Sequence, residues 1–260
     1  MQAIQWILAS DIDNTLTGDS KALKQLSSRI ASLRQQKQLA LFLTTGRTLD
    51  EVLRGFEEEN IPQADAIISQ VGTEIYLPPF SPEMEPLPEW DTFLRRQFSR
   101  EQAVSFIDDI DGAQVQSARY NTPLKVSYFL DKAPNPEQAA ERVKQRVAAA
   151  GNGYQVVWSS GKHLDILPAA SGKGKAIRFL IGYLNLNPTQ IITAGDSGND
   201  RSMLEEFGCG IIVDNAQPEL KELKNRDEGR AFYFAEHPFA AGVSEGLHHY
   251  GVLNAQENSA

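Results

Sequence analysis

Asp11 and Asp13 stand two residues apart at the end of an apolar run, the stretch 4–18 reading IQWILASDIDNTLTG. Side chains of a strand alternate, so both carboxylates can leave the same side of its end. There they can share a divalent cation and divide a displacement reaction, Asp11 as nucleophile or metal ligand and Asp13 as proton donor and acceptor. A polar turn after a buried strand is the competing reading, since Asp and Asn are common turn formers.

Further segments offer compatible chemistry. In LFLTTGR, residues 41–47, an apolar run ends in Thr44, Thr45 and Gly46 ahead of a helical stretch. A hydroxyl and free N–H groups at a helix start suit a phosphate, although an N-cap with a glycine turn is the plainer reading. In SGKGK, residues 171–175, Lys173 can neutralise phosphate charge as it spreads in a transition state, while Lys175 belongs to a solvated face. The glycine spacing and the residue after the lysine are not those of a P-loop. IITAGDSGND, residues 191–200, ends another apolar run in Asp196 and Asp200, oxygen ligands of the kind Mg²⁺ needs. Gly195 and Gly198 are expected to let this loop bend, and Asn199 to orient its neighbours. Asp11, Asp13, Asp196 and Asp200 in one crevice would repel one another, so the cluster implies a bound divalent cation.

The elements that must bring these segments together alternate in type. Strands are expected over 4–9, 39–43 and 66–69 and helices over 21–36 and 49–59. The rhythm resumes with helices over 173–184, 200–207 and 218–224 and strands over 191–194, 210–213 and 232–234. Such alternation indicates β-α units and a parallel sheet, and ligands of open parallel sheets bind outside the carboxyl ends of the strands, where each motif falls. Between the two halves, PPFSPEMEPLPEW at 78–90 carries five prolines and reads as a linker. Helices over 89–98, 100–110 and 136–149 and strands over 115–119, 125–130, 155–159 and 163–167 follow. The expected architecture is an α/β, Rossmann-like parallel-sheet core from residues 1–80 and 168–260, with a smaller α+β cap inserted at 81–167.

At 260 residues and 41% hydrophobic composition the chain can bury a substantial core. A formal charge of −9 argues against nucleic-acid or anionic-membrane surfaces as partners. No apolar stretch approaches the ~20 residues that span a bilayer, the N-terminal run lacks the marks of a secretory signal, and the single cysteine, Cys209, reads as core packing in a reducing compartment. A cytoplasmic location is the expectation. The pair His248 and His249 reads as the end of a solvent-facing helix.

With DIDNT, LTTGR, SGKGK and GDSGND in this order, the chain resembles the haloacid dehalogenase superfamily of phosphotransferases, and its insertion resembles the type C2 cap of that superfamily. The resemblance implies that Asp11 attacks phosphorus to form an aspartyl-phosphate and that Asp13 protonates the leaving alcohol and then activates water. It implies phosphate binding by Thr45, Gly46 and Lys173, with Asn199 beside them. It also implies Mg²⁺ held by Asp11, the backbone carbonyl of Asp13 and Asp196, with Asp200 supporting. Asn14, where many members carry glycine, and the segments VGTEIY (71–76), KVSY (125–128) and SSGKHLDILP (159–168) resemble the sucrose-6-phosphate phosphatases. Mannosylfructose-phosphate phosphatases are similar across the same segments.

That narrower resemblance implies sugar recognition by Lys125, Lys162 and Asp165 of the cap and by Gly72, Thr73 and Glu74 of the core. For the two lysines the alternative is that they are exposed ends of cap strands, and for His163 it is packing in a hairpin. The expected activity is Mg²⁺-dependent hydrolysis of a disaccharide phosphate, sucrose 6-phosphate foremost. A non-enzymatic phosphoacceptor switch and an association with a sugar-phosphate-producing glycosyltransferase are the other readings.

Overall fold

The computed structural model describes residues 4–187, 190–225 and 231–253. Its first half follows the expected alternation: β1 (Trp6–Ser10), α1 (Ser20–Gln35), β2 (Leu39–Thr44), α2 (Leu49–Glu58) and β3 (Ala66–Ser69). Both helices begin at polar caps. The Asp19 carboxylate accepts from the Lys21 and Ala22 N–H groups, and Thr48 and Glu51 form a reciprocal capping box on α2, a device worth about 1 kcal/mol. A short strand, β4 (Glu74–Tyr76), then pairs antiparallel with β3. Its three residues are too few to show a periodicity, so it is absent from the expected elements.

The proline-rich stretch is a linker only as far as Pro88, which opens α3 (Pro88–Arg95). Trp90 and Leu94 of α3 are buried with Phe42, Ile68 and Ile177 of the core, so the division at residue 81 leaves on the cap side a helix that packs with the core. The insertion continues with α4 (Arg100–Ser105), β5 (Gln114–Val115), β6 (Val126–Phe129), α5 (Pro136–Ala149), β7 (Tyr154–Ser159) and β8 (His163–Pro168). The strand expected over 115–119 stops at Val115. Asn121 takes over the ladder with its side chain, donating to the Gln116 and Ser127 carbonyls and accepting from the Ser127 N–H, so the chain can turn through a 3₁₀ segment at Ala118–Tyr120. The helix expected over 100–110 likewise ends at Ser105, and turns carry Phe106, Ile107 and Ile110 into the cap's own core.

The chain returns through α6 (Lys173–Tyr183), β9 (Ile191–Gly195), α7 (Arg201–Phe207), β10 (Cys209–Ile212), α8 (Pro218–Lys221), β11 (Ala231–Phe234) and α9 (Phe239–His249). The core sheet runs β11-β10-β9-β1-β2-β3-β4, parallel except for β4. Period-two alternation sorts its apolar runs onto two faces. Leu8, Leu41 and Leu43 meet α1, α2 and α9 on one side, while Ile7, Ala9 and Phe42 meet α3, α6 and α7 on the other. α9 buries Ala240, Val243 and Leu247, so only part of it faces solvent; His249 is exposed and stacks on Tyr233, and His248 bonds to Arg29.

The cap sheet, β5-β6-β8-β7, is antiparallel. Val126, Leu164 and Ile166 pack under α4 and α5. The alternate positions Ser127, Asp165 and Gln155 form the opposite, polar face. That face is turned to the core, since Gln155 Nε2 donates to the Ser171 and Pro168 carbonyls beside Lys173.

Candidate active site

The ends of β1 and β9 are tied together by the Asp11 N–H, which donates to the Ala194 carbonyl at 2.9 Å. This register places Asp11 beside the β9 loop. Asp11, Asp196 and Asp200 are all buried and each offers an oxygen within 4.8 Å of the others. Lys173, the first residue of α6 and fully buried, donates to Asp11 Oδ1 at 2.5 Å and to Asp200 Oδ1 at 2.6 Å. The second oxygen of Asp200 accepts from the Asp196 and Ser197 N–H groups at 3.0 Å, which fixes the loop. Gly195 and Gly198 serve close approach: a Cβ on Gly195 would meet Asp200 Cβ at 2.4 Å, and one on Gly198 would meet the Trp158 carbonyl of the cap at 2.7 Å.

Burial, opposed by the Lys173 charge and reinforced by Asp200, pushes the Asp11 carboxyl up to about 7. Burial with the charges of Asp200 and Asp11 pushes Asp196 up to about 8. Burial works against the Lys173 ammonium, but the two carboxylates beside it raise its pKa above that of an ordinary lysine. The charges are therefore unbalanced: one buried cation faces three buried carboxylates. A hard divalent cation fits this donor set, which is all oxygen.

Asp13 lies outside this close set and is half exposed. Arg47 holds it, Nη2 at 2.7 Å and Nε at 3.1 Å, while its Nη1 reaches Glu59 at 2.6 Å. The Asp13 side chain is thus paired with Arg47 and takes no part in the buried carboxylate cluster. Arg47 received no role from the sequence, although it is the basic residue that closes the TTGR motif. A planar guanidinium is suited to hold a carboxylate in one orientation. Asn14 adopts φ 59°, a left-handed conformation that Asn tolerates, and Asn215 fixes its carbonyl. Of the two threonines, Thr45 lies in the site, its hydroxyl accepting from the Arg47 N–H, and Thr44 turns to Met203.

The residues expected to read a sugar divide. Lys125 is 2% exposed, which overturns its reading as an exposed strand end; its ammonium stands 4.0 Å from Asp165 Oδ1 and over the Tyr120 ring. Asp165 also contacts Ser127 Oγ. Lys162 is a half-buried residue of the β7–β8 turn, paired with Asp131 at 3.6 Å and lying over Phe129. His163 bonds to Gln116 and sits edge-on to Phe129, the packing alternative.

In the core, Gly72 adopts φ 89° and a Cβ there would meet the Gly172 carbonyl carbon at 2.4 Å, so its backbone braces the start of α6. Thr73 is buried and donates to the Gln70 carbonyl. Glu74 accepts from Ser69 and Tyr76 and lines a 380 Å³ cavity with Glu85, Asp91, Arg95 and Thr122 that none of the carboxylate cluster enters. Gly46 lies against Val71, and Asn199 contacts Ser197. Lys175 is exposed, as expected.

Contacts close the cap onto this crevice. Tyr120 OH donates to Glu51 at 2.6 Å and Arg119 pairs with the same carboxylate at 3.3 Å. Burial, the Glu51 hydrogen bond and the charges of Glu51 and Asp13 push the Tyr120 hydroxyl up to about 12. Among the described residues no helix is long and apolar enough to cross a membrane.

Comparison with known proteins agrees with this geometry. The family model of sucrose-6F-phosphate phosphohydrolase matches residues 4–251. Mannosylfructose-phosphate phosphatase of Agrobacterium fabrum is 34% identical over 95% of this chain and 97% of its own. Sucrose-phosphatase 1 of Nicotiana tabacum is 28% identical over 96% of this chain, which spans 60% of that longer protein. The crystal structure of the sucrose-phosphatase of Synechocystis sp. PCC6803, in complex with sucrose and phosphate, superposes with a TM-score of 0.88 at 31% identity, covering 95% of this chain and 98% of that one. The chain belongs to the sucrose-6F-phosphate phosphohydrolase family, sugar-phosphate phosphatases of the haloacid dehalogenase type.

Proposed function

We propose that this protein hydrolyses the phosphate ester of a disaccharide, sucrose 6-phosphate foremost and mannosylfructose phosphate as the nearest alternative, with Mg²⁺ as its cation. The observation that carries the reading is the buried set of Asp11, Asp196, Asp200 and Lys173 at the strand ends, beneath the polar face of a cap. Asp11 forms a bond to phosphorus as the bond from phosphorus to the sugar oxygen breaks, and Asp13 gives its proton to that oxygen. Asp13 then takes a proton from the water that attacks the aspartyl-phosphate, releasing phosphate and restoring Asp11. Arg47 fixes the orientation of Asp13 throughout. Lys173, Thr45, Gly46 and Asn199 form the phosphate side of the crevice, where preorganised charge meets charge developing on the transferring group.

Asp11, Asp196 and the Asp13 carbonyl would hold the cation, with Asp200 supporting. When bound it supplies Lewis-acid stabilisation of the phosphoryl oxygens. Lys125, Asp165 and Lys162 would read hydroxyls of the sugar from the cap, residues 81–167 without the core-packing α3. A cytoplasmic enzyme receiving its substrate from a glycosyltransferase completes this reading, and co-purification of the two proteins would test their association.

Asp11→Asn should abolish turnover with the fold intact by circular dichroism; substantial residual activity would refute the nucleophile. The decisive measurement is phosphate release from sucrose 6-phosphate, mannosylfructose phosphate, trehalose 6-phosphate and fructose 6-phosphate, with Mg²⁺ and with chelator. A lead for sucrose 6-phosphate of about tenfold in kcat/KM, near 1.4 kcal/mol, abolished by chelator, is the expected result. A lead for another sugar phosphate would move the substrate and leave the core chemistry standing.

A further inference from the structure

Gln70 lies one residue before the segment that the sequence singled out for sugar recognition, and its environment is unusual in several respects. It is 2% exposed, and its side-chain Oε1 is a buried polar atom that finds no hydrogen-bond partner among the described residues. Burying an unpaired carbonyl is costly, so such an atom at a strand end calls for an explanation. Exchanging the amide oxygen and nitrogen does not remove the problem. Nε2 donates to the Arg119 carbonyl at 2.9 Å, and an oxygen turned there would face another acceptor.

The backbone is strained at the same place. Gln70 and Val71 both adopt left-handed conformations, φ 50° and φ 60°. This is a rare conformation for a β-branched residue such as Val71, and strain of this kind gathers at functional sites.

The strained turn is set in the crevice. The Gln70 N–H donates to the Arg47 carbonyl and the Val71 N–H to the Thr45 carbonyl, so it is braced on the loop that supplies Thr45, Gly46 and the arginine holding Asp13. Its side chain crosses to the cap at Arg119, next to Tyr120, whose ring carries the Lys125 ammonium and whose carbonyl lies against Ser127 Oγ. Gln70 is therefore a core residue whose amide stands in the seam between the phosphate loop and the polar face of the cap.

We infer that Gln70 Oε1 accepts a hydrogen bond from a hydroxyl of the substrate's sugar, making Gln70 a specificity-determining residue on the core side of the site. The Arg119 carbonyl fixes which way the amide points. A phosphate ester without sugar hydroxyls leaves this acceptor unpaired. This inference rests on the proposed sugar-phosphate activity and adds Gln70 to the core-side residues expected to read the sugar.

The test compares kcat/KM for the best disaccharide phosphate with that for p-nitrophenyl phosphate, in the wild-type protein and in Gln70→Met and Gln70→Asn. Methionine fills the space without an acceptor; asparagine tolerates the left-handed backbone but withdraws the oxygen by one methylene, and it carries the test if the methionine variant does not fold. Thermal melts establish which variants are folded. The expected result is that the ratio of sugar phosphate to aryl phosphate falls by about tenfold, the loss of one good hydrogen bond. Equal losses on both substrates, or a ratio within about twofold of wild type in a folded variant, would overturn the inference and leave Gln70 a structural brace. A wild-type protein with no preference for any sugar phosphate would instead overturn the functional reading itself, and the inference with it.

Discussion

Lys173 is the residue on which the charge arrangement of the site turns. It lies in direct contact with Asp11 and Asp200, and its removal leaves buried carboxylates without their cation. Lys173→Met should lower the stability of the metal-free protein by about 3–5 kcal/mol in urea unfolding, the range for breaking a buried ion pair, and should eliminate turnover. A methionine variant as stable as wild type would show that the carboxylates take up protons at no net cost. The raised carboxyl groups make a pH prediction of definite sign. Asp11 at about 7 and Asp196 at about 8 bind protons more tightly in the folded chain than in the unfolded one, where the ordinary value is 3.8. Their contribution to stability is thus greatest below about pH 4 and is lost as pH rises through about 7 and 8. In chelator, Asp196→Asn should gain stability over wild type between pH 5 and pH 8; a difference that does not change with pH would contradict it. Added Mg²⁺ should raise Tm more at pH 8 than at pH 5.

At the scale of elements, glycines set how closely the motif-bearing segments approach. The turn after β3 presses on the start of α6 through Gly72, which has both a positive φ and no room for a Cβ. Gly72→Ala should destabilise the protein by about 1–3 kcal/mol, the range for overpacking. It should also lower kcat, because the displaced neighbour is the peptide joining Gly172 to Lys173. Melting temperature and kcat measured together check this; a fall in Tm with kcat unchanged would mean that the turn and the lysine move independently. The sequence revealed where the strands end but not this brace, because the contact joins residues a hundred positions apart, Gly72 and Gly172.

For the whole molecule, the question is how the cap is held over the core. Glu51 of α2 meets both Tyr120 and Arg119 of the cap, Gln70 meets the Arg119 carbonyl, and Gly198 lies under Trp158. Tyr120→Phe removes the 2.6 Å bond to Glu51 and keeps the ring under Lys125. It should raise KM for the disaccharide phosphate by roughly threefold to tenfold, the equivalent of about 0.7–1.4 kcal/mol, with little change in the unfolding of the core. An unchanged KM would mean that cap closure does not depend on this contact.

Asp11, Asp13, the acidic loop of Asp196 and Asp200, and Lys173 are legible as candidate site residues in the chain itself. Each stands where an apolar run ends, and in a parallel sheet those ends share one edge whatever the details of packing. A sheet shared by both halves and an α+β insertion between them follow from the alternation of elements, whereas the order of the strands and the antiparallel β4 do not. What only the tertiary structure decided are contacts whose partners are remote in sequence. Arg47 on Asp13 and Glu59, Lys125 buried against Asp165, α3 packed with the core, and the Gln70 amide that donates to Arg119 while its oxygen stays unpaired are of this kind. Periodicity reports which face of an element is buried, but it carries no information about which side chain from another part of the chain will arrive there. Contacts across the seam between core and cap are of this kind, so no single motif contains them.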